Sequence, residues 1–481
     1  MSDEQTRGRR PEPRQQERRR EQRQPDVVQP ARRVAYEVIA AVRESDAYAN
    51  LLLPTRIKRA ALNTADAALA TELTYGTLRM QGFYDRVIAE AAGRPVTAID
   101  PAILDVLRLG AHQLLATRVA THAAVNESVE LARQVGSRAA TGFTNGVLRT
   151  ISRSSAEEWR DRVLSGATSE DDRLAALHSH PVWVVRAFRQ SLRLEKREAE
   201  LEDLLIADNA APKVNMVTLP GLSNTEDTDG LGVTNAFSPT GFVLAGGDPL
   251  HLMQASDGRI RVQDEGSQLA ALTLSRARPI TPGERWLDLC AGPGGKAALL
   301  AAEALAGGAH LVANELVPAR ATLVRKALAA VPAEVPVWEQ DGTSFGEAHP
   351  EEFDRILLDA PCTGLGALRR RPEARWRKQP KDVAELSDLQ SGLIDAALGA
   401  LKPGGILAYV TCSPHIAETR GIVASALKKW GDRVRTLDTA AVLQGLSSAG
   451  LDLPGDGRSV QLWPHRHGTD AMFITLLERT K

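Results

Sequence analysis

The sequence predicts a multidomain protein, with an all-α front, a small α+β module in the middle and an α/β Rossmann-like domain at the back. Three observations carry that reading. Residues 31–152 show helical apolar spacing without strand signals. From residue 285 onward, short apolar runs alternate with amphipathic segments, the pattern of a parallel sheet covered by helices. At 481 residues the chain is also too long for one ordinary domain, and about three are expected.

Composition narrows the class. Hydrophobic residues make up 43% and charged residues 25%, a globular balance with ample core. A net charge of −1 means that the whole-chain field attracts no nucleic acid, so any such partner meets local basic patches. Three widely separated cysteines argue against a disulfide framework and for a reducing compartment. Residues 1–30 are rich in Arg, Gln, Glu and Pro, and are expected to be a disordered Arg-rich tail. The apolar run Val34 to Val42 is broken by Glu37 and is too short for a signal segment. No stretch approaches a membrane span, so a cytoplasmic, monomeric protein without membrane partners is expected.

In the helical front, Val34, Val38, Ile39 and Val42 share one face, as do Ile103, Val106, Leu107 and Leu114. Asn63 is placed to cap a helix running towards Gly76. Residues 153–172 are polar and read as a linker. Residues 173–278 mix a helix (198–207) with strands near 214–219 and 241–244, and Asp264 reads as a helix cap. His178/His180 and His465/His467 lack further ligands at metal spacing, so turn and packing roles are expected and no metal. Candidate strands then follow at 285–290, 309–314, 335–338, 354–359 and 405–411, and a terminal hairpin near 461–477. Candidate helices lie at 296–305, 318–329, 383–401 and 417–430.

Within this last domain (279–481), Trp286-Leu-Asp288-Leu-Cys290 reads as a buried strand. Gly292, Gly294 and Gly295 turn it into a helix. Such a turn brings backbone N–H groups and a helix N-terminus up to a ligand. Glu315 follows the next strand, where an acid binds ribose hydroxyls. A nicotinamide dinucleotide and S-adenosylmethionine both fit that spacing. Asp359-Ala-Pro361-Cys362 and Thr411-Cys412-Ser413 end two further strands on the same rim. A dehydrogenase has no evident need for two thiols and an acid there, which favours S-adenosylmethionine.

The chemistry fits cytosine. Its carbon 5 is a poor nucleophile until a thiolate adds at carbon 6, and an acid at ring nitrogen 3 eases that addition. A base then removes the carbon 5 proton so that the thiol leaves. Arg369, Arg370, Arg371, Arg375 and Trp376 follow the Cys362 loop and are expected to contact RNA phosphates and bases. The target base must be unpaired or flipped out to reach the thiols.

Two resemblances sharpen this reading. Glu72 to Arg79, His122 to Glu127 and Phe143 to Arg149 resemble the RNA-binding domain shared with the NusB antitermination factor, which places Arg79 and Arg149 on an RNA face. The Asp288-to-Lys296 loop, the Asp359-to-Cys362 run and Thr411-Cys412-Ser413 resemble the Sun-type (Fmu-like) bacterial 16S rRNA cytosine-C5 methyltransferases. That resemblance implies small-subunit ribosomal RNA as partner and S-adenosylmethionine as methyl donor, on a class I methyltransferase domain. It implies Cys412 as nucleophile, Cys362 in RNA release, and Asp359 at cytosine nitrogen 3 and beside the cofactor. Cys290, Ala291, Gly292, Pro293, Gly294, Gly295 and Lys296 would hold the methionine end, Glu315 the ribose and Asp341 the adenine. Three positions depart from the usual pattern. Glu315 stands where Asp is usual, Gly292 where Ala is more frequent, and Glu418-Thr-Arg420 where many members carry Glu-Asn-Glu. The last leaves the role of those positions open. The rival readings are a DNA cytosine-5 methyltransferase attacking through Cys362, and a non-catalytic RNA-binding assembly factor.

Overall fold

A computed structural model describes residues 28–481 apart from positions 46 and 224. The expectation for the tail therefore lies outside the described residues up to position 27. Seven helices between Pro30 and Ile151 pack around one apolar cluster. Asn63 caps the helix Thr64–Arg79, its side-chain oxygen accepting from Asp66 N–H. Such a cap contributes about 1 kcal/mol.

The expected linker is helical instead. Ala156–Ser165 opens on a capping box formed by Ser155 and Glu158, and Glu170–Leu177 follows. Trp159 is buried and donates its ring N–H to Ile151 carbonyl, which fixes the first of these helices to the bundle. Polar composition hid the buried stripe here.

The middle module is a four-stranded antiparallel sheet. Its strands are β1 (Asn215–Thr218), β2 (Gly232–Thr234), β3 (Gly241–Leu244) and β4 (Ile260–Val262), in the order β2-β3-β1-β4. Only β1 and β3 had a readable signal, because the other two are three residues long. Asp264 caps the helix Glu265–Ser275 as expected, accepting from Gly266 N–H.

The last domain holds β5 (Arg285–Asp288), β6 (His310–Asn314), β7 (Val337–Trp338), β8 (Phe353–Asp359), β9 (Leu401–Thr411), β10 (Val434–Thr436), β11 (Ser459–Gln461) and β12 (Phe473–Arg479). Their order is β10-β12-β9-β8-β5-β6-β7, and β11 pairs with β12. Strands β5 to β9 run parallel, whereas β12 is antiparallel to its neighbours. Alternation sends Trp286 to one face with the helices Glu265–Ser275 and Gly295–Gly307, and Leu287 to the other with Pro380–Ala400. The strand order reverses between β6 and β8, on either side of β5. Open sheets of this kind bind ligands at the carboxyl ends there. Among the described residues, no helix is long and apolar enough to cross a membrane.

Candidate active site

Asp288, Glu315, Asp359 and Thr411 end or follow β5, β6, β8 and β9, so all four lie on the carboxyl rim. Gly294, with φ +107°, opens the helix Gly295–Gly307. A Cβ there would lie 2.5 Å from that of Ala327, so the loop passes too close for any side chain. A Cβ on Gly292 would sit 2.1 Å from Glu315 Oε2, the movable end of that side chain. Gly292 N–H donates to that oxygen at 3.0 Å, Arg320 bridges Glu315 and Gly292 carbonyl, and Val317 N–H reaches the other oxygen. The acid is thus anchored, with lone pairs left for hydroxyls. Asp341, exposed three residues after β7, accepts from Thr343 N–H and hydroxyl.

Asp288 is buried, and neither carboxylate oxygen has a hydrogen-bond partner. Burial, and next the Asp359 charge, pushes its carboxyl up to about 8. Burial likewise raises the Cys290 thiol, with Asp288, Asp359 and Glu315 adding to it.

The other two thiols are unlike it. Cys362 Sγ and Cys412 Sγ lie 3.5 Å apart. Lys296 Nζ donates to Asp359 Oδ2 at 2.8 Å and is held protonated above its ordinary range, the carboxylate outweighing burial. Cys412 is lowered, first by the hydrogen bond from Cys362 and also by the Lys296 charge, against burial and Asp359. Cys362 is raised, first by that same hydrogen bond and then by burial. The two opposite shifts favour ionisation of Cys412 over Cys362. Backbone bonds fix the geometry. Gly366 N–H donates to Cys412 carbonyl, and Ala471 N–H donates to Gly366 carbonyl. A Cβ on Gly366 would lie 2.1 Å from Ala471 oxygen.

The basic segment divides in two. Arg369 is buried between Asp264 and Asp470, and Arg370 also pairs with Asp470. Arg375 is fully buried. It donates to Ser179 carbonyl, Asn209 Oδ1 and Arg79 carbonyl, joining the catalytic domain to both preceding regions. Trp376 packs against Gly82, where a Cβ would lie 2.3 Å from its ring. Arg79 is turned into this junction beside Tyr75. Direct RNA contact expected of Arg369 and Arg375 is therefore corrected, since burial commits these two side chains to holding domains together, while Arg79 and Trp376 are half-buried at the same junction. Arg149, Arg370 and Arg371 remain on the surface. A cleft of ≈ 490 Å³ opens beside the loop after Cys412, walled by Trp183, Arg186, Val383 and His415 among others. The paired histidines serve packing, with His178 on Glu202 and His180 on His178 carbonyl.

Comparison with known proteins meets this geometry. The family described as 16S rRNA methyltransferase RsmB/F matches residues 278–478, and the NusB family matches residues 29–153. The ribosomal RNA small subunit methyltransferase B of Pseudomonas putida is 33% identical over 93% of this chain and 98% of its own. The chain belongs to the RsmB/F methyltransferase family. A Mycobacterium tuberculosis protein, named no further than as a methyltransferase, is 47% identical over 94% of this chain and 97% of its own. The crystal structure of PH0851 shares the fold, with a TM-score of 0.77 at 22% identity, covering 95% of this chain and 100% of that one.

Family membership decides the cofactor left open by the glycine loop: S-adenosylmethionine supplies the methyl group. The residues present fit it. Asp288 offers a buried carboxylate without a partner, which an ammonium group would satisfy. Glu315 offers spare acceptor capacity for ribose hydroxyls.

Proposed function

We propose that this enzyme methylates carbon 5 of a cytosine in small-subunit ribosomal RNA through a covalent bond between Cys412 sulfur and carbon 6. The observation that carries the reading is the thiol pair at 3.5 Å, with one member lowered and the other raised. An ordinary thiol, with pKa about 8.5, is only a few per cent thiolate at neutral pH. Cys362 and Lys296 enlarge that fraction at Cys412 alone.

The chain's residues divide the work. Cys412 thiolate adds to carbon 6, and its electron pair becomes the carbon–sulfur bond. As the sulfur adds, electrons shift through the ring onto nitrogen 3, which takes a proton relayed from the Lys296 ammonium through Asp359 and returns it when the thiol leaves. The activated carbon 5 accepts the methyl group. With Cys412 bonded to carbon, the largest cause of the raised Cys362 thiol is gone, so Cys362 gives up its proton to solvent more readily at the stage where a base is required, while burial, Glu418 and Asp359 still oppose it. Cys362 then takes the carbon 5 proton. The ring double bond re-forms and the electron pair returns to Cys412 as thiolate. The same coupling that protects Cys362 before attack releases it afterwards.

Trapping with RNA carrying 5-fluorocytosine, whose carbon 5 has no proton to lose, tests the assignment. Wild type is expected to form an adduct that survives denaturing gels, and Cys412→Ala none. Cys362→Ala is expected to accumulate adduct on ordinary RNA. An adduct on Cys412→Ala would move the nucleophile to Cys362.

A further inference from the structure

Glu418 is a fully buried acid six residues after Cys412. Its carboxylate accepts from Thr363 N–H at 2.7 Å and from Ser413 hydroxyl at 2.6 Å, and Thr363 hydroxyl also bonds to it. Thr363 follows Cys362 and Ser413 follows Cys412. One side chain therefore grips the residue next to each thiol. Gln390 N–H reaches the same carboxylate and donates to Pro361 carbonyl at 2.7 Å, while Tyr409 hydroxyl donates to Glu418 carbonyl. These partners are hydroxyls and N–H groups rather than a cation, so the carboxylate serves as an acceptor hub and not as half of an ion pair.

We propose that Glu418 is a positioning residue that locks the Cys362 and Cys412 loops into one unit, so that Cys412 alone presents the attacking sulfur. The inference rests on the reading of Cys412 as nucleophile. Two consequences follow from the geometry. A carboxylate accepts from all of these donors at once, whereas an amide turns one donor towards other donors. The charge also counts. Behind the hydrogen bond to Cys412, burial and the Cys412 charge, Glu418 adds to the raising of Cys362. Losing it eases ionisation of the wrong thiol.

The test uses the full chain and iodoacetamide at limiting amounts, with the alkylated cysteine identified by peptide mass spectrometry. Wild type is expected to label at Cys412 first. Glu418→Gln, with the shape kept, is expected to lower the Cys412-to-Cys362 labelling ratio about tenfold, the equivalent of one pKa unit. Its kcat should fall while the KM for RNA and the thermal shift with S-adenosylmethionine stay near wild type. A merely structural role would lower the melting temperature and leave the labelling ratio alone. Glu418→Asp keeps the charge but shortens the reach, so its ratio should stay within about twofold of wild type while kcat drops; this variant also serves if the Gln protein does not fold. A wild-type ratio in folded Glu418→Gln, or wild-type kcat in Glu418→Asp, overturns the proposal. First labelling of wild type at Cys362 instead overturns the nucleophile assignment, before any variant is compared.

Discussion

The cofactor end of the cleft and the thiol end share one rim of the sheet, yet they treat a cysteine in opposite ways. Cys290 sits among Asp288, Asp359 and Glu315, and burial with those charges keeps it protonated. Cys412 faces Cys362 and Lys296, which together favour its thiolate. The residue type is the same, and so is the secondary-structure setting, a strand end. The difference is which thiol has the Lys296 ammonium beside it rather than a ring of carboxyls, and which has a second thiol to donate to it. Reactivity here is a property of neighbours.

That comparison breaks most directly at Lys296. Lys296→Met removes the cation, raises Cys412 and frees Asp359 from its partner. The methyl-transfer rate should fall about 10²-fold near neutrality, and part of the loss should return as pH rises and the thiol ionises unaided. A rate profile against pH checks this. An unshifted profile would mean that Lys296 does not control the thiol.

At the opposite end, Asp288 supplies a pH signature. Its carboxyl is near 8 in the folded chain and ordinary when unfolded. The folded state therefore holds a proton that the unfolded state has lost, and stability falls as pH climbs from about 4 to about 8. Asp288→Asn should flatten that slope in urea unfolding at successive pH values. A bound ammonium group favours the ionised carboxyl, so wild-type affinity for S-adenosylmethionine should rise with pH by up to about tenfold per unit in this range. The Asn variant should lose that dependence.

Away from the cleft, the basic segment repeats the contrast between buried and exposed groups of one type. Arg375→Ala should destabilise the protein by about 3 kcal/mol, because the buried carbonyls of Ser179 and Arg79 and the Asn209 Oδ1 lose their donor. Arg371→Ala should leave the melting temperature nearly unchanged and reduce the slope of RNA affinity against salt by about 1. Equal effects of the two on RNA binding would contradict the division of roles.

Most of the architecture was legible because its signals are long. The parallel strands are bounded by glycine loops and followed by helices, and their observed ends fall within a few residues of those expected. Short or polar elements escaped. The strands β2 and β4 have too few residues for a period, and the helix at Ala156–Ser165 hides one buried stripe among charges, although Ser155 and Glu158 already spelled a capping box. At the site, motif residues were readable one by one, and the structure brings Lys296, Asp359, Cys362 and Cys412 together. Two facts needed three dimensions. Arg375 and Arg371 look alike in a basic run, and only the fold shows that one points into the junction. Glu418 was visible as an acid after Cys412, but its grip on Thr363, 55 residues earlier, was not.

The central claim is most directly tested by the identity of the labelled nucleoside. Purified enzyme would be given methyl-labelled S-adenosylmethionine and unmodified small-subunit ribosomal RNA, and the RNA digested to nucleosides. The account predicts label in 5-methylcytidine, lost in Cys412→Ala. Label in any other nucleoside, or 5-methylcytidine formed undiminished by Cys412→Ala, would contradict it.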